Sequence, residues 1–125
     1  MPWVIVATVS DRLNLWNYNN IYTLNTGDSV DNPFKDDNNN SIAVVIDNEW
    51  HHFSVTFGSN MAKLYIDGIY KGKAKTFKSP ATTSAKTIRL AGGYNNAHSY
   101  DWNGMINDFR IYDHCLSAAE VKEIS

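Results

Sequence analysis

Cysteine, glutamate and long apolar runs are scarce in this sequence, and neither sign of charge is in large excess. The single cysteine among 125 residues, Cys115, excludes an internal disulfide and a zinc site built from cysteines. No apolar run approaches the roughly 18–20 residues of a membrane-spanning helix, so we expect no membrane insertion. Residues 2–9 are apolar but lack the basic segment of a secretory signal. The 11 basic and 13 acidic residues give a net charge of −2, which argues against nucleic acid as a partner.

Apolar residues, aromatic residues and asparagine are abundant instead. Hydrophobic residues make up 43% of the chain and aromatic residues 13%, which is enough for a core within one domain. The 15 asparagines gather in clusters such as residues 38–40, and asparagine tolerates turn geometry while disfavouring strands and helices. We therefore expect a single domain over residues 1–125, built from short strands joined by polar turns.

Alternating and β-branched runs predict strands along most of the chain. Residues 27–40, which include Pro33 and three consecutive asparagines, are instead predicted to form an exposed loop. Asp67-Gly68 divides the run 63–71 into a hairpin, because this dipeptide supplies the positive φ angles of a type I′ turn. The predicted strands are residues 3–9, 12–18, 20–25, 42–46, 50–57, the two arms of 63–71, 87–90 and 105–112.

The last predicted strand has an irregular pattern. Phe109 and Ile111 share one face of the run 105–112, but Ile106 is out of phase with them. A bulge near residues 107–108 would return Ile106 to the core side. We therefore predict a bulged strand at this place.

The residues that follow carry a helix start signal. Ser117 as N-cap and Glu120 three residues later form a capping box, and Leu116 with Val121 completes a hydrophobic staple. We predict one short helix over Ser117–Ile124 and no other helix of consequence. Many short strands with turn signals between them indicate a sandwich or a jelly roll.

Four motifs, in order, resemble those of a known family. WHHFSVT at residues 50–56 and KLYIDG at 63–68 are followed by WNGMINDFRIYD at 102–113 and LSAAEV at 116–121. Together they resemble laminin G-like jelly-roll domains of the concanavalin A-like lectin/glucanase superfamily. The match is clearest over residues 42–125, whereas the family's opening strands are not recognisable in residues 1–41. The resemblance implies an all-β, concanavalin A-like jelly-roll sandwich of two antiparallel sheets with a short C-terminal helix.

The glucanase branch of that superfamily uses paired carboxylates on one strand, and this sequence lacks them. Glu49 stands alone near a strand start, while Glu120 and Glu123 fall in the predicted helix. Retaining hydrolysis needs two carboxyl groups about 5–5.5 Å apart, so we expect no enzyme activity and no catalytic residue. His51 and His52 are neighbours in a predicted strand and point to opposite faces, which makes a shared metal ion unfavourable. We interpret Cys115 as a half-buried structural thiol.

The resemblance also implies a structural calcium ion. Asp108 occupies the position of the family's acidic ligand on the final strand, and Asn107 with main-chain oxygens would supply part of the shell that calcium requires. The alternative is that Asp108 pairs with Arg110 or caps a bulge. Asp108 is therefore the candidate metal ligand, and Ca²⁺ the candidate cofactor.

One segment combines the two residue classes that bind sugars. Aromatic rings stack on the C–H faces of a sugar, and amide, carboxylate and imidazole groups bond to its hydroxyls. The alternative is that some of these rings fill the core under a long loop. The candidate ligand-binding residues are Tyr94, Asn95, Asn96, His98, Tyr100, Asp101 and Trp102, with Trp16 as a further candidate on the same rim or on the concave sheet face.

These observations lead to two hypotheses of function. The first is a non-catalytic, lectin-like carbohydrate-binding module that recognises a glycan or glycoprotein surface. The second is a structural or adhesion module of a larger assembly, such as a phage tail or virion protein, with a neighbouring domain or chain as its partner. Either function places the chain outside the cell, on the cell surface or on a virion. The lysines at 71, 73, 75 and 78 are interpreted as residues that keep an edge strand from aggregating.

Overall fold

A computed structural model describes residues 5–7, 13–18, 21–25, 32–58, 61–75, 88–90 and 104–125. Within these ranges, no helix is long and apolar enough to cross a membrane. The strands of this part of the chain are β1 (Ile5–Ala7), β2 (Leu13–Tyr18), β3 (Ile21–Asn25), β4 (Asn32–Pro33), β5 (Phe53–Gly58), β6 (Met61–Ile66), β7 (Ile69–Lys75) and β8 (Ile88–Leu90), and its helix is α1 (Ala118–Ile124).

The strands form two antiparallel sheets. The larger sheet has the order β4-β3-β2-β1-β8, and the smaller has the order β5-β6-β7. Every paired neighbour is antiparallel, from Val6 opposite Asn14 in the larger sheet to Val55 opposite Leu64 in the smaller. The predicted all-β architecture of two antiparallel sheets with one short helix is confirmed.

The hydrophobic core takes side chains from both sheets. On β6, Ala62, Leu64 and Ile66 are buried at alternate positions, as expected for one face of a pleated strand. The three hydrophobic residues of β5 also alternate along their strand and pack against this core. The core cluster consists of Tyr22, Leu24, Phe34, Ala62, Leu64, Ile66 and Ala74, flanked by the partly buried Ile42, Val44, Val45, Phe53, Val55 and Phe57.

Residues 34–36 connect the two sheets at one edge. The N–H of Phe34 donates to the carbonyl of Tyr22 on β3 at 3.0 Å. The next residue, Lys35, exchanges two backbone hydrogen bonds of 2.9 Å with Lys73 on β7. Phe34 is 1% exposed. The prediction of an exposed loop over 27–40 is therefore wrong at Phe34, whose ring enters the core because its backbone completes the edge of β3.

The predicted strand at residues 42–46 is absent. Ser41 and Ala43 make single bridges to Lys35 and Ile21, and the Tyr22 N–H donates to the Ile42 carbonyl at 3.1 Å. These isolated pairings do not extend into a ladder. The prediction fails because alternation of side chains indicates which face is apolar but does not supply a continuous partner strand.

Residues 105–112 also form no strand. None of them pairs with a described strand, and the side chains that were expected in the core are exposed, Ile106 to 38% and Ile111 to 66%. The predicted β-bulge is absent, since these residues pair with none of the described strands. The irregularity itself lies where the pattern placed it, because Asp108 adopts a positive φ of 56°.

Two local predictions are confirmed in detail. Asp67 and Gly68 have φ angles of 53° and 75°, as the type I′ turn between β6 and β7 requires. At α1, the Glu120 N–H donates to Ser117 Oγ at 3.2 Å and the Ser117 N–H donates to Glu120 Oε1 at 3.1 Å. Val121 is fully buried. The C-terminal end of α1 lies over the hairpin turn, since a Cβ on Gly68 would be 3.2 Å from the Lys122 Cα.

Gly72→Ala is expected to destabilise the protein. The added Cβ would clash with the Lys35 carbonyl oxygen and lie 2.7 Å from the carbonyl carbon. Both atoms belong to the backbone, so no change of side-chain rotamer can relieve the clash. Separating β7 from residues 34–36 should lower the free energy of unfolding by about 1–3 kcal/mol, the usual cost of overpacking. Chemical denaturation of both proteins measures this difference.

Gly58→Ala is the matched control on β5. Its Cβ would lie 3.4 Å from the Cys115 Sγ, which is an ordinary contact with an exposed side chain. We expect a change of under about 0.5 kcal/mol, as for a surface substitution. Equal losses in the two variants would contradict the close backbone approach at Gly72.

Candidate functional site

A histidine between two carboxylates stands where β5 begins. The His51 Nδ1 lies 2.7 Å from Asp67 Oδ2, and its Nε2 lies 2.9 Å from Asp47 Oδ1. Asp67 holds its place by backbone bonds as well: its Oδ1 accepts the His52 N–H at 2.9 Å, and its own N–H donates to the His52 carbonyl at 2.7 Å. We call Asp47, His51 and Asp67 the histidine cluster. Its hydrogen bonds connect the β6–β7 turn to the start of β5.

The histidine cluster favours a protonated ring. A carboxylate accepts hydrogen bonds, so two of them are both satisfied only by an imidazole that donates from both nitrogens. The bonds to Asp67 and then to Asp47 raise the pKa of His51. Burial opposes ionisation of Asp67, but the bonds from the His51 ring and the His52 amide outweigh it and lower the pKa of that carboxyl. The His51 ring also lowers the pKa of Asp47.

This arrangement joins the start of β5 to the hairpin turn. When the His51 ring is protonated between the two carboxylates, it has no lone pair for a metal or for a substrate proton. The rings of the two histidines have different partners, since the His52 ring lies 3.3 Å from the Ser54 hydroxyl. The prediction that both histidines lie in a strand is wrong, because β5 begins only at Phe53. Sequence reasoning missed the role of Asp47, although its spacing of four residues from His51 is a signal that could have identified it.

The other shifted carboxylates of the described residues are also bound to partners. Hydrogen bonds lower the pKa of Asp113, whose carboxylate contacts the His114 ring at 2.9 Å, and the Ser117 amide lowers that of Glu120. Within this part of the chain, every carboxyl pKa that departs from its ordinary value is lowered. A general acid for glycoside hydrolysis needs the opposite shift.

Asp108 forms the alternative arrangement that the sequence left open. Its two carboxylate oxygens accept from Arg110 Nε at 2.8 Å and from the second guanidinium nitrogen at 2.7 Å. This pairing lowers the pKa of Asp108. In the described ranges, no three His, Cys, Asp or Glu side chains come together as a metal site. As arranged here, these residues do not fit calcium, because Asp108 would first have to release Arg110; calcium binding stays a prediction.

The predicted sugar-binding segment falls outside the described residues. That applies to Tyr94, Asn95, Asn96, His98, Tyr100, Asp101 and Trp102, so their role stays a prediction. For Trp16 the backbone is described: it lies on β2 and pairs with Thr23 of β3. Cys115 is exposed rather than half-buried, and its neighbour His114 contacts Asp113. The thiol and the imidazole therefore do not form a catalytic pair.

The architecture described above defines the class: an all-β protein of two antiparallel sheets with a capped C-terminal helix. The chain belongs to the concanavalin A-like lectin/glucanases superfamily, because a laminin G-like family model of that superfamily matches residues 3–122. The match begins at residue 3 and so extends beyond residues 42–125, where the motifs are clearest; β1, β2 and β3 lie within the matched range.

A solved structure has a similar fold. It is the crystal structure of residues 221–444 of an S-layer domain-containing protein from Clostridium thermocellum, with a TM-score of 0.55 and 23% sequence identity. The superposition covers 90% of this chain and 54% of that chain, so this chain spans about half the length of its neighbour. No curated protein sequence matches this chain.

The histidine cluster predicts how stability depends on pH. Because the pKa of His51 is raised above 6.5, its contribution is complete below that pH and is lost as pH rises through the folded pKa. The lowered pKa values of Asp47 and Asp67 add stability that is present above 3.8 and lost as pH falls through their folded values. We expect the highest melting temperature between about pH 4 and 6.5.

Substitution His51→Gln tests this assignment, because glutamine does not titrate. The fall in melting temperature between about pH 5.5 and pH 8.5 should become smaller in this variant. His52→Gln is the matched control, since the His52 ring contacts a hydroxyl rather than a carboxylate. An unchanged fall in His51→Gln, measured by thermal denaturation in matched buffers, would remove the histidine cluster as its source.

Proposed function

We propose that this chain is a non-catalytic module that binds glycans at a cell surface. The observation that carries the proposal is its membership of the concanavalin A-like lectin/glucanases superfamily over residues 3–122. The carboxylates of the described residues support the non-catalytic part, because those with shifted pKa values accept hydrogen bonds from their partners and are held ionised. The similar solved structure comes from an S-layer domain-containing protein, which is compatible with a surface location.

The proposed ligand-binding residues are those of the aromatic and polar segment 94–102, with Trp16 as a further candidate. Trp102 combines a large apolar face with an N–H donor, which suits a sugar ring. Calcium binding at Asp108 stays a prediction, and the comparison of Ca²⁺ with EDTA tests it. These assignments rest on the residue types in the sequence, and the following experiment tests them.

We expect Trp102→Ala to lose glycan binding. A glycan array run with millimolar Ca²⁺ and again with EDTA identifies the ligand class, and a titration then compares the variants. Truncating a central aromatic contact costs on the order of 2 kcal/mol or more, about a thirtyfold loss of affinity. Trp50→Ala is the matched control, because Trp50 is 61% exposed and lies outside the segment. A blank array from folded protein, with and without Ca²⁺, would refute the glycan proposal.

A second candidate is an assembly or adhesion module. A specific observation favours it: residues 105–112 expose a series of apolar side chains along a backbone that pairs with none of the described strands, among them Met105 at 70% and Ile111 at 66%. Exposed apolar segments of this kind are typical of surfaces that another chain covers. The occupant that the proposal names is a second copy of this chain, since the segment has the alternation of a strand and no partner among the described strands.

Ile111→Ser is expected to weaken self-association. Burying an isoleucine contributes about 1.5–3 kcal/mol, so the dissociation constant of the dimer should rise roughly tenfold or more. Ile46→Ser is the matched control, because Ile46 is 67% exposed and lies outside residues 105–112. Sedimentation equilibrium over a range of concentrations measures both variants. A monomeric parent protein at all concentrations would refute the second candidate.

A further inference from the structure

One asparagine of the chain lies in the acceptor motif for N-linked glycosylation. Asn39 is followed by Asn40 and Ser41, which gives the pattern Asn-x-Ser with a residue other than proline in the middle. Among the chain's 15 asparagines, Asn39 alone has a serine or a threonine two positions later. The cluster of asparagines at residues 38–40 therefore contains the one acceptor motif of this sequence.

The motif also contains the acidic residue that bacterial glycosylation enzymes require. Asp37 precedes Asn39 by two positions, so residues 37–41 have the order Asp-Asn-Asn-Asn-Ser. Bacterial oligosaccharyltransferases recognise this five-residue form through charge-assisted contacts to the carboxylate at one end and hydrogen bonds to the hydroxyl at the other. The longer motif is more specific than Asn-x-Ser, because it also fixes the residue type at a third position.

These residues form the tip of a hairpin at the edge of the domain. Lys35 and Ser41 pair as an isolated bridge, and the Asp36 N–H donates to the Asn40 carbonyl at 2.9 Å. The Asn39 N–H donates to the Asp36 carbonyl at 3.0 Å, which closes a four-residue turn. Asn39 has a φ of 63°, a left-handed conformation that asparagine tolerates better than most residues. We call residues 36–41 the asparagine hairpin.

The side chains that a transferase would contact are accessible. Residues 37–41 are all exposed. The asparagine hairpin is held by the carboxylate of Asp36, whose Oδ1 accepts the amides of Asn38 and Asn40 at 2.9 Å each. No described residue forms a hydrogen bond with the Asn39 carboxamide or with the Ser41 hydroxyl. Both groups of the motif that an enzyme must reach are therefore presented to solvent.

The asparagine hairpin can open without exposing the core. The hydrogen bonds that close its tip are exposed to solvent, and bonds of this kind break at low free energy. The two backbone bonds between Lys35 and Lys73 lie outside the motif and hold the chain against β7, and Phe34 is buried beyond them. A transferase that binds the five residues in another conformation can therefore act on the folded domain.

We propose that Asn39 is an acceptor of N-linked glycosylation by an oligosaccharyltransferase of the bacterial type. The donor class is an oligosaccharide joined through its anomeric carbon to a polyprenyl pyrophosphate. The Asn39 amide nitrogen loses one proton to a base and bonds to the anomeric carbon, while the bond from that carbon to the pyrophosphate oxygen breaks. Polyprenyl pyrophosphate leaves with the electron pair of that bond, and nothing is oxidised or reduced. This inference goes beyond the proposed function, because it concerns a modification of the domain rather than its ligand.

The test incubates the folded chain with a purified bacterial oligosaccharyltransferase and its polyprenyl-linked donor, and it measures the intact mass. We expect the mass to increase by that of one oligosaccharide. Trypsin cleaves after Lys35 and Lys63, so the addition should lie on the peptide 36–63, where fragmentation assigns it to Asn39. An acceptor protein already known for that enzyme shows that enzyme and donor are active. An unchanged mass of the folded chain in the same reaction would overturn the proposal.

Two substitutions should each abolish the mass increase. Asn39→Asp removes the amide nitrogen and keeps a residue that tolerates a positive φ. Ser41→Ala removes the hydroxyl and leaves the acceptor in place, whereas Ser41→Thr keeps a hydroxyl and should be modified like the parent. Asn38→Gln is the matched control, because it changes an exposed neighbour at a position where the motif accepts other residues. A mass increase in Asn39→Asp, or its loss in Asn38→Gln, would contradict the assignment to Asn39.

Asp37→Ala tests whether the five-residue form is recognised, and this variant should lose the modification. Asp36→Ala is its matched control, because it removes the same charge at the adjacent position and lies outside the motif. Asp36→Ala should stay modified even though it also removes the two hydrogen bonds to the amides of Asn38 and Asn40. Full modification of Asp37→Ala, or loss of modification in Asp36→Ala alone, would overturn recognition of the bacterial motif.

Discussion

Two hydrogen bonds between the backbones of Lys35 and Lys73 join the sheets of this domain at one edge. The residue before Lys35, Phe34, delivers its ring to the core, and Gly72 beside Lys73 lacks the side chain that would keep the two backbones apart. Three features therefore depend on one another: the burial of Phe34, the backbone pairing of Lys35 with Lys73, and the absence of a side chain at Gly72. Among the described residues, Lys35 covers the outer edge of β7 at Lys73, and the interpretation of the nearby lysines as protection against edge pairing stays a prediction.

Sequence signals that act over a few residues were reliable here. The Asp67-Gly68 turn and the Ser117–Glu120 capping box need only their own neighbours, and both are present as predicted. Predictions that needed a distant partner were less successful. Residues 42–46 and 105–112 carry strand-like alternation, yet a strand exists only where another backbone accepts its hydrogen bonds. The burial of Phe34 was not predicted for the same reason, since nothing in the polar sequence around it indicates the partner on β3.

The charged residues of the smaller sheet follow two opposite arrangements. In the histidine cluster, the charges of His51, Asp47 and Asp67 compensate one another, and their contacts connect the start of β5 to the hairpin turn. Lys35, Lys73 and Lys63 instead lie side by side with one sign of charge, and no carboxylate of the described residues forms an ion pair with them. The first arrangement stabilises the contact between β5 and the hairpin turn, whereas like charges that face each other across a sheet are destabilising.

The sequence could identify the first arrangement more readily than the second. Two residues of the histidine cluster, His51 and Asp67, lie in motifs that the family resemblance had already identified, residues 50–56 and 63–68. Asp47 is the member that lies outside those motifs. The row of lysines combines residues 35, 63 and 73, whose separations follow no period of a strand or a helix. It arises from strand register, and register depends on which residues pair across the sheet. The proximity of these charges is consequently specified by the fold, since strand spacing sets the distances between their backbone positions.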